Sequence, residues 1–248
     1  MNRFLAISLA VGLVLATGTI ALAGSAPGTG ILQTSHDLSS ATGVGDSWGA
    51  GVAADPTLDR VCIYCHAPHH AINGAQAGLS YYPLWNHTLS TIPQYDLYTN
   101  GTNSTNGPNA ISHQFNGEDT ILQPGSVSKL CLSCHDGSVA ISAYGGSSNP
   151  QGPKASGRIL IGGGGDLKTH HPIGFDYYDV AAKDDEIFPA TNAFVGNNPS
   201  GLTINDVLWN NRMECSSCHD VHNTKNTGKK FLWVEDNHSN LCLSCHNK

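Results

Sequence analysis

Residues 62–66 read Cys-Ile-Tyr-Cys-His, and the same Cys-x-x-Cys-His pattern recurs at residues 131–135, 215–219 and 242–246. The four motifs use all eight cysteines of the chain, and a histidine directly follows each cysteine pair. Residues three and four positions apart share one face of a helical turn, so the two cysteine sulfurs and the histidine ring of one motif can bind the same group. This spacing is the attachment signature of c-type haem, and it predicts four covalently bound haem c groups.

Each motif supplies two porphyrin-bonding sulfurs and one proximal iron ligand. The predicted thioether cysteines are Cys62, Cys65, Cys131, Cys134, Cys215, Cys218, Cys242 and Cys245. The predicted proximal ligands are His66, His135, His219 and His246. The same cysteines could instead hold structural zinc or form disulfides in an exported chain. Neither alternative needs a histidine after every pair, and only 13 of 248 residues are histidine, so haem is the favoured interpretation.

Residues 1–23 predict a cleaved secretory signal peptide. Arg3 precedes the apolar run 4–14, and Ala21-Leu22-Ala23 places small residues at the expected cleavage site. An uncleaved membrane anchor is the alternative. The mature chain has no further stretch long and apolar enough to span a membrane, so we expect a secreted protein, extracellular or at the cell surface. A periplasmic location is the alternative.

The charge of the chain disfavours nucleic acid as a partner. Its formal net charge is −7 at pH 7, and charged residues make up only 12% of the sequence. Nucleic-acid binding requires a basic footprint, which is missing. Loops rich in Gly, Ser, Thr and Asn take the place of charged surface, and such loops allow close self-association.

The sequence predicts little regular secondary structure. Residues 98–110 and 145–165 are rich in turn-forming residues and lack an apolar face. We expect short α-helices at the motifs and at 203–209, where Thr203 with Asp206 resembles a capping box. We expect short strands at 121–122 and 231–234.

So little regular structure ordinarily indicates disorder, but covalently attached haems can replace a side-chain core. The predicted fold is therefore a multihaem cytochrome c of mostly irregular coil, with stacked haems as its core. One domain is expected over residues 24–248, with residues 24–60 as an N-terminal arm. A division after Gly165 is the alternative.

Histidine is the expected sixth ligand of each iron. Met213 is the only methionine left after removal of residues 1–23, so methionine ligation is almost unavailable. Nine histidines remain outside the motifs for four positions, which predicts bis-histidine irons of low potential. The candidates are His36, His69, His87, His171 and His222. They outnumber the positions by one, so at least one of them is not a ligand.

Local patterns select these five candidates. His69 and His222 each follow a motif histidine by three residues, so each can ligate only a neighbouring haem, with His70 as the stand-in for His69. His171 precedes Pro172, which restricts its backbone, and it is favoured over the neighbouring His170, which remains the alternative. His87 lies beside an apolar cluster that could cover a haem face. His36 lies on the N-terminal arm, which could reach outward.

Six segments together resemble a known family. They are CIYCHAPHH at 62–70, PLWNH at 83–87, LCLSCHDG at 130–137, HHPIGF at 170–175, MECSSCHDVHN at 213–223 and FLWV at 231–234. They resemble doubled-motif multihaem cytochromes, and their order and spacing closely resemble the OmcE-type tetrahaem cytochromes. The resemblance implies extracellular filaments with a continuous haem chain, bis-histidine irons, and one iron ligated from the next subunit. It matches His36 to that bridging role.

The sequence is compatible with three hypotheses for the function of the chain. The leading hypothesis is an electron-conducting structural protein without enzyme activity, a homopolymer built by head-to-tail contacts that need not close. It would exchange electrons with redox partners or external acceptors. The second hypothesis is a soluble periplasmic tetrahaem carrier. The third is a multihaem oxyanion reductase, which requires an iron with an open position.

Overall fold

The computed structural model describes residues 26–39, 60–73, 82–97, 127–145 and 152–248. The predicted signal peptide, the strand at 121–122 and His113 lie outside these ranges. Most described residues adopt turns, bends and irregular coil, which confirms the predicted scarcity of regular structure. Within these ranges, no helix has the length and apolar character needed to cross a membrane.

The described helices are short, and four of them contain motif residues. The α-helices are α1 (Val127–His135), α2 (Tyr177–Ala181), α3 (Cys215–Cys218) and α4 (Asn240–Cys245). The 3₁₀ helices are Val61–Tyr64, Gly157–Ile159, Gly163–Gly165, Ile204–Val207, Lys229–Phe231 and Asn237–Ser239. Each motif thus lies on a helical turn, as its spacing predicted.

One backbone hydrogen bond closes the turn in three of the motifs. The histidine amide donates to the carbonyl of the first cysteine, at 2.8 Å in motif 62–66, 3.1 Å in 215–219 and 2.9 Å in 242–246. This bond folds the cysteine pair and the histidine into one compact unit.

The strands form two small pairs. β1 (Asp96–Leu97) runs parallel to β2 (Asp166–Leu167), and β3 (Phe175–Asp176) runs antiparallel to β4 (Arg212–Met213). Each strand has only two residues, so neither pair can hold the chain together by itself.

The buried apolar side chains of the described residues form five small clusters. The largest contains Phe175, Tyr177, Val180, Ala190, Ile204 and Met213. The others are centred on Tyr64 with Ile141, on Tyr95 with Leu132, on Trp85 with Leu130, and on Phe194 with Val234. Several small clusters in place of one large core agree with a fold that needs another apolar component.

Two local predictions had different outcomes. The capping box is present: Thr203 and Asp206 bond reciprocally and start the 3₁₀ helix Ile204–Val207. The strand predicted at 231–234 is wrong. Lys230 and Phe231 have φ of 60° and 62°, which is left-handed backbone and cannot continue a strand.

Candidate functional site

Three of the four motif histidines face a second histidine from a distant part of the chain. The ring centroids are 6.1 Å apart for His36 and His135, 6.0 Å for His66 and His222, and 6.3 Å for His171 and His246. Imidazole nitrogens bind metals at about 2 Å, so two imidazoles on opposite sides of one iron have centroids roughly 6 Å apart. The three pairs match this separation.

Backbone carbonyls fix the orientation of three of the six paired histidines and of His219. Nδ1 lies close to a backbone carbonyl for His66 (Pro83, 2.6 Å), His135 (Ile159, 3.0 Å), His219 (Lys230, 3.0 Å) and His171 (Pro172, 2.8 Å). A carbonyl only accepts, so Nδ1 carries the proton and Nε2 is left with its lone pair. Metal-binding histidines are usually oriented this way.

His36 has the surroundings of a ligand. Burial, reinforced by the charge of nearby His135, lowers the pKa of His36 to about 4, so the ring is neutral, the form that binds metal. Its Nδ1 atom is buried without a hydrogen bond, and the ring stacks on Phe231 at 4.6 Å between centroids.

Successive motifs lie next to each other. Cys65 and Cys134 pack against one apolar cluster. The pKa of Cys131 is raised chiefly by a hydrogen bond between its thiol and that of Cys215. Burial, and next the charge of Cys245, raises the pKa of Cys218 to about 12. The four motifs therefore form a series in chain order.

A buried carboxylate joins the second and third motifs. Glu214 precedes the third motif and is only 1% exposed. Its Oε2 accepts a hydrogen bond from the hydroxyl of Ser128 in α1, and the Cys215 amide donates to that same hydroxyl at 3.0 Å. This polar contact holds α1 against α3.

A second buried carboxylate follows the histidine of the second motif. Asp136 is 2% exposed, and it accepts hydrogen bonds from the hydroxyl of Tyr95 (2.5 Å), the hydroxyl of Ser90 and the amide of Ser138 (2.8 Å). All these partners donate, as an ionised carboxylate requires.

Asp220 holds the equivalent place after His219. Its carboxylate accepts from the amides of His222, Thr224 and Lys225 at 2.7–3.2 Å. Burial raises the pKa of Asp220, but the amide bonds from Lys225 and Thr224 outweigh burial and lower the pKa below its usual value. The aspartates after the second and third motif histidines were visible in the sequence, but their burial was not.

Two of the predicted distal ligands do not face a motif histidine. His87 is fully buried, with Nδ1 2.8 Å from the Thr88 carbonyl and Nε2 3.1 Å from the Ala140 carbonyl, an arrangement that favours a structural role. His69 is exposed, as is His70. Among the histidines that the structure describes, none pairs with His219 in the manner of the other three motif histidines.

The arm predicted to reach a neighbouring subunit is folded back in its described part. His36 is enclosed by its own chain and faces His135, so the geometry favours ligation within the subunit over the bridging role. Iron ligation by any distal histidine stays a prediction.

The residues fit haem c. All eight cysteines are free thiols, available for thioether bonds, and the facing histidines have the separation that one iron requires. In the described part of the chain, no three His, Cys, Asp or Glu side chains converge as a metal-ion site.

Residues 210–248 match the family model described as the doubled CXXCH motif. A search among curated proteins found no match to the chain. The matched region contains the third and fourth motifs, and the same pattern occurs twice more upstream. The doubled motif supports a multihaem c-type cytochrome that carries electrons through covalently bound haem c.

Proposed function

We propose that this chain is a tetrahaem c-type cytochrome that conducts electrons outside the cytoplasm and polymerises head to tail into an extracellular filament. Haem c supplies one-electron oxidation and reduction. The observation that carries the proposal is the placement of each motif near the next. Cys65 and Cys134 pack against one apolar cluster, and the Cys215 amide bonds to Ser128 of α1. Cys218, whose pKa is raised first by burial, lies near enough to Cys245 for the charge of Cys245 to raise that pKa further. Such a series brings its redox centres close enough to pass electrons along the molecule.

Bis-histidine ligation supports electron transfer without catalysis. The chain's role is to hold two imidazoles at each iron and to orient them through backbone carbonyls, as Ile159 does for His135. A closed iron offers no position to a substrate, so the proposed protein is a conductor and not a reductase.

The third motif supports assembly between copies. His219 is exposed and oriented by the Lys230 carbonyl, and its distal ligand is not among the described pairs. His69 and His70 are adjacent and exposed, and neither belongs to a described pair. A heterologous contact in which one copy's His69–His70 segment meets the next copy's His219 would repeat without closing.

The test replaces His69 and His70 together by alanine. Cells producing the double variant should yield haem-positive protein with four haems per chain but no filaments in electron micrographs of the sheared extracellular fraction. His238→Ala is the matched control, since it removes another exposed histidine and should leave filaments intact.

A second variant separates ligation between subunits from ligation within one subunit. His113 lies outside the described residues and is the in-chain alternative for His219. If His113→Ala abolishes filaments or opens an iron while the His69/His70 double variant forms normal filaments, the bridging assignment is wrong. Wild-type protein found only as periplasmic monomers would point to a soluble carrier.

A further inference from the structure

The segment His219–Asn223 takes part in three of the four candidate haem sites. His219 belongs to the third motif, and His222 faces His66 of the first. Asn223 contacts the N-terminal segment 26–30, which leads to His36 and so to the second site. Five consecutive residues thus connect sites whose motifs are far apart in the sequence.

Asn223 makes an unusually complete set of hydrogen bonds to the N-terminal segment. Its side-chain amide donates to the carbonyls of Ala26 (3.0 Å) and Gly30 (2.6 Å). Its side-chain oxygen accepts from the amide of Gly28 at 3.0 Å, and its own carbonyl accepts from the amide of Gly30 at 2.7 Å. The residue is 3% exposed, so these bonds are shielded from water.

The chain from Gly30 to His36 is short and internally bonded. The Thr34 amide donates to the Ile31 carbonyl, and the Asp37 amide donates to the Thr34 carbonyl, both at 3.0 Å. Leu38 then packs into the cluster of Tyr64. The segment is therefore held at both ends, by Asn223 before His36 and by Leu38 after it.

We propose that Asn223 is a positioning residue that holds His36 opposite His135. The inference rests on the proposed bis-histidine ligation of the second site. Two bonds of Asn223 serve its own loop: the Asn226 side-chain amide donates to the Asn223 side-chain oxygen at 2.8 Å, and the Asn223 backbone amide donates to the Asp220 carbonyl at 2.9 Å. These two bonds alone do not account for Asn223. The other four bonds reach the N-terminal segment.

The test is carbon monoxide binding to the reduced, haem-loaded protein. Asn223→Asp keeps the acceptor for Gly28 but places an oxygen against the carbonyls of Ala26 and Gly30. Two hydrogen bonds are lost, and each loss changes the equilibrium constant for holding the segment in place by a factor of about five. His36 should therefore leave the iron more readily. We expect at least about tenfold faster binding at one of four haems. His36→Ala marks full opening of that haem.

Asn198→Asp is the matched control. The Asn198 side chain also bridges a loop, donating to the Phe194 and Leu202 carbonyls and accepting from the Leu202 amide. This variant should lose stability but bind carbon monoxide as slowly as the wild type. Deletion of residues 24–30 removes Ala26, Gly28 and Gly30, the three residues to which Asn223 is bonded in this segment, and leaves Asn223 itself in place. It should reproduce the faster binding if Asn223→Asp fails to fold.

A double variant separates the effect on His36 from an effect on neighbouring His222. Asn223→Asp combined with His36→Ala should bind carbon monoxide at one haem, as His36→Ala does alone. Binding at two haems would show that Asn223 acts through His222 and would overturn the proposal. Wild-type rates in both Asn223→Asp and the deletion would also overturn it. If His36→Ala opens no haem, the ligation itself is wrong.

Discussion

At the scale of single residues, the carboxylates beside the motifs distinguish the four sites. Asp136 and Asp220 follow the second and third motif histidines and are buried, whereas Ala67 and Asn247 occupy the same position after the first and fourth. A fixed negative charge stabilises the more positive ferric state. We therefore expect the second and third haems to have lower potentials than they would without these charges.

Asp136→Asn should raise the reduction potential of the second haem. A unit charge about 10 Å from a redox centre changes the free energy of its reduction by about 1.7 kcal/mol at an effective dielectric constant of 20. This corresponds to a shift in reduction potential of roughly 70 mV. The substitution keeps the shape of the side chain, and the hydroxyls of Ser90 and Tyr95 can rotate to suit an amide. Spectroelectrochemical titration measures the shift.

Asp185→Asn is the control for this measurement. Asp185 is exposed, so solvent and salt screen its charge, and its removal should leave the titration unchanged. Equal titration curves for Asp136→Asn and Asp185→Asn would mean that the hydrogen-bond donors around Asp136 already neutralise its effect.

At the scale of elements, the turn around residues 227–233 supports the third motif. The Lys230 carbonyl orients His219, and the Trp233 indole donates to the Ser216 carbonyl at 2.8 Å. Gly228 allows this turn to close, because a Cβ there would lie 2.2 Å from the Val234 carbonyl oxygen and 2.7 Å from that of Leu232. Backbone atoms cannot give way as a flexible side chain would.

Gly228→Ala should lower the thermal stability of the haem-loaded protein. Overpacking of this kind costs about 2 kcal/mol, which corresponds to a fall in Tm of roughly 4–8 °C for a chain of this size. Gly201→Ala is the comparison: a Cβ there meets no atom within 4 Å, and only its φ of 62° is unfavourable. A larger loss of Tm in Gly201→Ala than in Gly228→Ala would contradict this account.

Local chemistry in the sequence predicted local structure well. The capping box of Thr203 and Asp206 and the helical turn at each motif depend on residues three or four positions apart, and both were found. The strand at 231–234 was predicted from apolar residues alone. Lys230 and Phe231 have left-handed backbone, and their carbonyls bond to His219 and Asp220 next to the third motif, contacts that the local sequence does not contain.

At the scale of the whole molecule, the pairing of histidines is what the sequence leaves undetermined. The supply of histidines predicts bis-histidine irons, but His36 with His135 and His66 with His222 are pairs of distant residues. Their pairing depends on how irregular segments fold over one another. The burial of His87 and the inward fold of the segment around His36 have the same origin, since both follow from tertiary contacts.

The same irregularity indicates what holds the molecule together. The described apolar clusters contain between two and six buried residues each, and the strand pairs have two residues a side. Clusters of this size gain little free energy from burial against the conformational entropy of the ordered loops between them. We therefore expect the haem-free chain to be unfolded at room temperature.

The prediction is tested by replacing all eight cysteines with alanine, which prevents covalent attachment. This chain should give a far-ultraviolet circular dichroism spectrum of coil, no near-ultraviolet signal and rapid proteolysis, whereas the haem-loaded protein in the same buffer resists the protease. Cooperative unfolding of the haem-free chain on heating would contradict the prediction, because it would show that the five clusters are sufficient to fold the chain without haem. If the haem-free chain is unfolded, haem attachment is the step that permits folding. Only the attached haems give the separate clusters a common apolar surface to pack against.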